Sequence, residues 1–226
     1  MKRIPRTVWA LGAVSLCMDL SSELVHSLLP VYLTVVLGAG MAAVGLVEGI
    51  AEATASIVKA FSGALSDRLG HRKPLVVLGY ALAALSKPLF PLAESVPLVL
   101  AARFMDRIGK GIRGAPRYAL IADVTPAHVR GAAYGLRQAL DTVGAVLGPL
   151  AAIGLMLWLA DDIRSVLWIA IVPASLAVLV LVVFVGEPAD SRKTRSKALL
   201  SFGSLAEFGP AYWLIVALGA VYTLAR

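Results

Sequence analysis

Six apolar runs follow one another along this chain: Thr7–Leu37, Ala42–Leu65, Leu75–Leu92, Pro97–Ala122, Arg130–Leu159 and Val166–Val185. Each is near the twenty residues that a helix needs to cross roughly 30 Å of hydrocarbon. No soluble domain of 226 residues needs so much apolar surface: 59% of the residues are hydrophobic, 15% are charged and the mean hydropathy is +0.83. The expected fold class is an all-α membrane protein. The first run does not read as a signal peptide, because it is long, lacks a small-residue cleavage site after a short core, and is followed by further spans. Cys17 is the only cysteine, so no intramolecular disulfide can form. The net charge of +7 lies at span ends and along one face of one span, not on a soluble basic patch, so no nucleic-acid partner is expected.

The loops imply an orientation. Lys2, Arg3 and Arg6 precede the first run, and Arg68, Arg72 and Lys73 follow the second. His128 and Arg130 flank the turn between runs four and five, and Arg192, Lys193, Arg195 and Lys197 follow run six. The alternate loops hold only Glu94 and then Asp161, Asp162 and Arg164. All the basic loops share one side, which puts the N-terminus in the cytoplasm of a multi-pass plasma (inner) membrane protein. Residues 1–185 read as a six-helix bundle. Residues 186–209, with four Lys/Arg and three Asp/Glu, read as a cytoplasmic linker, and 210–226 as the start of a seventh span. That last stretch supplies about 25 Å of helix. The expectation is an N-terminal half and a truncated start of a C-terminal bundle, with the missing half as a partner. The alternative is a natural half-transporter that dimerises.

One loop is more specific than the rest. Gly63-Ala-Leu-Ser-Asp67-Arg68-Leu-Gly70-His71-Arg72-Lys73-Pro74 joins the second and third runs. It resembles the G-x-L-a-D-r-x-G-r-k signature between the second and third helices of major facilitator superfamily transporters. His71 stands where that family usually has Arg, and Arg72 and Lys73 keep the positive charge. The resemblance covers essentially the whole chain. It implies two inverted three-helix repeats, although no residue-level repeat is visible between runs one to three and four to six. It also implies a gating role for Gly63, Asp67, Arg68, Gly70 and Arg72, an outer position for the third and sixth helices, and a cavity lined by the first and fourth.

The charge pattern gives the same partition. Run six has no ionisable residue and run three has only Lys87, so both can face lipid cheaply. The other runs carry interior charges, which must face protein or water. Asp19, Glu23 and His26 fall within about 60° of one another on a helix, and Glu48, Glu52 and Lys59 within about 40°. Lys59, near the basic end, can snorkel to the interface. Arg103, Asp106, Arg107, Lys110, Arg113 and Arg117 project within about 120°. Arg103 and Arg107 sit at the estimated depth of Glu48 and Glu52, and Arg113 and Arg117 near the cytoplasmic mouth, close to Asp67. The fourth run is similar to the family's fourth-helix pattern, in which a mid-helix Arg is followed by glycines. The expected proton and substrate residues are Asp19, Glu23, His26, Glu48, Glu52, Arg103, Asp106 and Arg107. Arg113, Arg117, Arg137 and Asp141 join the gate, and Arg137 and Asp141 are four apart and can pair.

Gly144 and Gly148, followed by Pro149, permit close helix packing. In this place they resemble the motif associated with antiporters, with Ala151 and Ala152 where the fullest form has glycines. There is no phosphate-binding loop, metal cluster or nucleophile arrangement in the sequence, so neither a cofactor nor an enzyme is expected. The expected function is a secondary transporter that exchanges protons for small organic compounds by alternating access, in the direction of efflux. Two alternatives stand beside it. One is symport uptake of an anionic metabolite, with the fourth run's cations as its site. The other is a non-transporting scaffold or sensor, which would have no need of so many interior charges.

Overall fold

The computed structural model describes residues 4–186 together with 209, 210, 213–215 and 218. Helix α1 spans Arg6–Val31 and continues as a π-helical segment, Tyr32–Val36. Pro30 lies just before that change, and its carbonyl accepts a hydrogen bond from the Thr34 hydroxyl at 2.9 Å. Pro30 has no N–H to offer the His26 carbonyl four residues before it, and the chain continues past it through the wider turn. Helix α2 runs Met41–Leu69 and stops at Gly70, whose φ of 65° is the left-handed C-cap that glycine adopts without strain. The helix runs four residues further at its C-terminal end than expected. Gly63, Asp67 and Arg68 are therefore helical, and the hairpin itself is only Gly70, His71 and Arg72.

Helix α3 spans Lys73–Ser86, opens with Pro74 in its first turn, and tightens to a 3-10 turn at Lys87–Leu89 where Pro88 falls. Helix α4 spans Val96–Val124 and α5 Arg130–Trp158. The sixth span is two pieces, α6 (Ile163–Ile169) and α7 (Ile171–Phe184), joined at Ala170. Asp162 caps α6: its carboxylate accepts from the Arg164 and Ser165 amides at 3.1 and 3.4 Å. Most of the expected linker, 187–208, lies outside the described residues. Of the expected seventh span, Pro210, 213–215 and 218 are described and helical.

Four of these stretches are long and apolar enough by themselves to cross a membrane: 6–36, 41–69, 127–158 and 163–184. The charges of α4 and the short α3 keep those two from the same description, yet both are packed among the others to make the six-helix bundle. Helix α1 packs on α5 and α7, and α4 packs on α2 and α3. Exchanging spans one to three with four to six maps one set of contacts onto the other. This is the inverted repeat, written in packing although not in residues.

Close approach is bought with glycine at the two main crossings. A Cβ on Gly79 of α3 would sit 2.6 Å from the Gly109 carbonyl oxygen of α4. A Cβ on Gly144 of α5 would sit 2.5 Å from the Leu16 carbonyl oxygen of α1, and one on Gly148 would sit 2.6 Å from Glu23 Cβ. Pro149 lies inside α5, one residue on.

The apolar core is in two parts. One gathers Leu24, Leu28, Tyr32, Phe90, Val99 and Leu167; the other gathers Leu11, Met18, Val76, Tyr80, Leu120 and Leu181. Along α1, α3 and α4 the residues between the two parts are Asp19–Glu23, Ser86–Lys87 and Arg103–Arg117. A polar layer therefore crosses the middle of the bundle. This layer corrects the reading of span three as mainly lipid-facing. Half of Leu75–Leu92 is buried and only Leu78, Leu85 and Leu92 are exposed, because Lys87 and Tyr80 turn inward to polar partners.

Candidate functional site

Helix α4 organises the site, because its charges recur every three or four residues on one face. Arg103 and Lys87 are both 0% exposed, so each needs an anion. Lys87 donates to Asp106 Oδ1 at 2.9 Å and to Ser22 Oγ at 3.1 Å. Arg103 Nη1 lies 3.9 Å from Asp106 Oδ2. Its Nη2 donates to Glu48 Oε2 at 2.7 Å and lies 2.6 Å from His26 Nδ1. One turn on, Arg107 Nη1 lies 3.6 Å from Glu52 Oε2. The second-span acids Glu48 and Glu52, with His26 of the first span, are thus tied to α4 in an ordered ladder. Glu48 is half-buried, whereas Glu52 has 65% of its side chain exposed.

Toward the basic end the character changes. Arg113 lies over the Tyr80 ring at 4.5 Å from its centroid. Arg117 Nη1 donates to the Tyr80 hydroxyl at 2.7 Å and to Ser15 Oγ at 3.1 Å. Arg137 is ion-paired with Asp141 and donates to the Tyr118 hydroxyl at 2.7 Å. Arg113, Arg117, Tyr118, Arg137 and Asp141 border a cavity of about 320 Å³, which Asp19 and Glu23 of α1, Glu52 and Lys59 of α2 and Lys110 of α4 also line. Lys59 lines the cavity, with its stem against Gly114. Within the cavity the Asp19 and Asp141 carboxyls are in hydrogen-bonding reach of each other. Glu23 has no ion-pair partner among the described residues.

The hairpin residues form a separate cluster. Arg72 bridges two acids, with Nε 2.7 Å from Asp123 Oδ2 at the end of α4 and Nη2 3.7 Å from Asp67 Oδ1. Arg68 is exposed, and a Cβ on Gly63 would sit 3.3 Å from Ala115 Cβ. Asp67 thus reaches the end of span four through Arg72, while Arg113 and Arg117 lie deeper and belong to the cavity. Sequence reasoning missed Lys87, Tyr80, Ser15, Ser22 and Tyr118 as members of the network. The available signal was Lys87 itself, a lone cation inside an apolar run.

The helix order, the packing exchange and the charged cavity agree with the family signature in the hairpin. A family model for the Major Facilitator Superfamily matches residues 11–225. The chain belongs to that superfamily. Among relatives of this facilitator, an uncharacterised MFS-type transporter of Methanocaldococcus jannaschii is 31% identical over 225 residues, which are 100% of this chain and 55% of the relative. The multidrug resistance protein MdtH of Proteus mirabilis is 31% identical over 126 residues, 56% of this chain and 30% of the relative. A POT family transporter solved in complex with 5-aminolevulinic acid superposes with a TM-score of 0.71 at 18% identity, over 98% of this chain and 46% of the other. The chain thus spans about half the length, or less, of the proteins it matches, and the last likeness concerns the fold alone.

Proposed function

We propose that the chain forms one wall of a proton-coupled transporter that exports small organic compounds by alternating access. The basic end of the bundle faces the cytoplasm in this reading, and a second bundle closes the cavity from the other side. The observation that carries the proposal is the Asp19–Asp141 contact between α1 and α5. In this reading the two carboxyls share one proton, which relieves their mutual repulsion. Opening the cavity to water on one side weakens that repulsion and lets the proton leave. The expected proton carriers Glu48 and Glu52 instead have arginine partners, at 2.7 and 3.6 Å. They, with His26, Asp106, Arg103 and Arg107, hold α1, α2 and α4 in one arrangement that the transport cycle must rearrange. Arg72, between Asp67 and Asp123, latches the α2–α3 hairpin to the end of α4. The likeness to a multidrug resistance protein supports the direction of transport.

The test uses the full-length protein in proteoliposomes, with the dyes carboxyfluorescein and ethidium as probes. Asp19→Asn and Asp141→Asn should each abolish accumulation driven by a pH gradient while sparing downhill exchange. If both variants keep full proton-driven flux, the coupling site is elsewhere, and Glu23→Gln and Glu52→Gln are the next to measure.

A further inference from the structure

The cavity is richer in cations than its own carboxyls can satisfy. Five cations line it, at positions 59, 110, 113, 117 and 137, against four carboxyls at 19, 23, 52 and 141. The carboxyls do not neutralise the cations pairwise. Glu52 is turned to Arg107, Asp141 to Arg137, and Asp19 to Asp141. Among the described residues Lys59, Lys110, Arg113 and Arg117 have no ion-pair partner. Arg113 is the most telling. It is 3% exposed, lines the cavity, and its Nη1 is buried without a hydrogen-bond acceptor. A buried guanidinium donor left unmade costs about 1–3 kcal/mol or more, so a fold that keeps it there has an acceptor to offer at some stage. Arg117 uses Nη1 on two hydroxyls and leaves Nε unmet. The two lysines bring mobile point charges from α2 and α4 to the same space.

We infer that this cavity takes an anionic cargo, a small organic molecule whose carboxylate or phosphoryl group is received by Arg113 and Arg117 with Lys59 and Lys110 closing over it. The inference rests on the reading of the cavity as a transport site and adds the substrate class. A planar guanidinium presents paired donors that match carboxylate and phosphate oxygens, and the lysines serve as adjustable counter-charges. The Tyr80 ring under Arg113 holds the guanidinium plane in place while leaving its edge to the ligand.

The experiment is thermal stabilisation of the purified full-length protein by benzoate, inorganic phosphate and ethidium, with flux of carboxyfluorescein and ethidium measured in parallel. At least one anion should stabilise the protein, less so at high salt, and ethidium should not. Lys110→Gln and the Lys59→Gln/Lys110→Gln pair should keep the melting point without ligand and weaken anion binding tenfold or more. Arg113→Gln should abolish it, and Arg113→Lys should recover part. The choice between benzoate and phosphate tells a carboxylate cradle from a phosphoryl one. Stabilisation by ethidium alone, by neither anion, or equally in wild type and the lysine variants overturns the inference. Proton-driven ethidium flux that survives these substitutions would do so too, while leaving the transport reading intact. Anion binding with no pH-driven flux of either dye would instead leave the anion site standing and remove the transporter.

Discussion

Asp106 is the residue whose loss should damage the fold most. It sits between two cations that are both 0% exposed, accepting from Lys87 Nζ at 2.9 Å and lying 3.9 Å from Arg103 Nη1. Asp106→Asn keeps the shape and removes the charge. Lys87 is then left buried with only neutral acceptors, the amide oxygen at position 106 and Ser22 Oγ at 3.1 Å. Breaking a buried pair this way costs about 3–5 kcal/mol, or roughly two to three and a half orders of magnitude in the unfolding equilibrium at about 1.4 kcal/mol per tenfold. Lys87→Met should cost less, about 1–3 kcal/mol, because Asp106 retains Arg103 and Arg103 retains Glu48 at 2.7 Å. The double variant Lys87→Met/Asp106→Asn should recover most of the loss, since neither member of the pair is left charged. The assay is equilibrium unfolding of the full-length protein in mixed micelles with increasing SDS, read as a double-mutant cycle. Two outcomes refute the reasoning: Lys87→Met as costly as Asp106→Asn, or single losses that simply add in the double variant. Either would mean that the pair does not act as a buried unit.

Two further outcomes follow from the packing and the hairpin. Gly144→Ala should lower stability by about 1–3 kcal/mol, because its methyl meets the Leu16 carbonyl, whereas Gly154→Ala on the same helix meets nothing within 4 Å and should be neutral; equal effects would refute the close crossing of α1 and α5. Asp123→Asn should impair transport more than Asp67→Asn, with membrane insertion unchanged, since Arg72 lies 2.7 Å from the first and 3.7 Å from the second; normal dye flux by both variants in vesicles removes the latch.

Much of the site was legible because charge inside an apolar run is so expensive. Glu48 and Glu52 on one helix and Arg103 and Arg107 on another share a repeat of four residues, so depth estimated from residue counts was enough to align them. The hairpin was legible from its glycine and its cations, although its boundary was not: the α-helix carries Asp67 and Arg68 and ends only at Gly70, where a positive φ is cheap. The place of Arg113 and Arg117 was not legible. Their distance from Asp67, and their position at a cavity with Asp19 and Asp141, depend on how far α4 is buried against α2, α3 and α5. Helical spacing places them on a face but says nothing of which neighbour that face meets.

Lys87 marks the boundary between the two kinds of information. The sequence by itself determined that the chain is a bundle of membrane helices, where their ends lie to within a few residues, and which residues must avoid lipid. Those conclusions follow from local quantities: the length of apolar runs, the helical repeat, the turn chemistry of glycine and proline, and the cost of a charge in hydrocarbon. Tertiary structure alone decided that Lys87 pairs with Asp106, that Asp19 meets Asp141, and that four cations without an ion-pair partner among the described residues share a cavity. These are contacts between residues 19 to 122 positions apart in the chain. They depend on how the helices cross, which is decided by glycine contacts and the filling of space, and no periodicity within a single span carries that information.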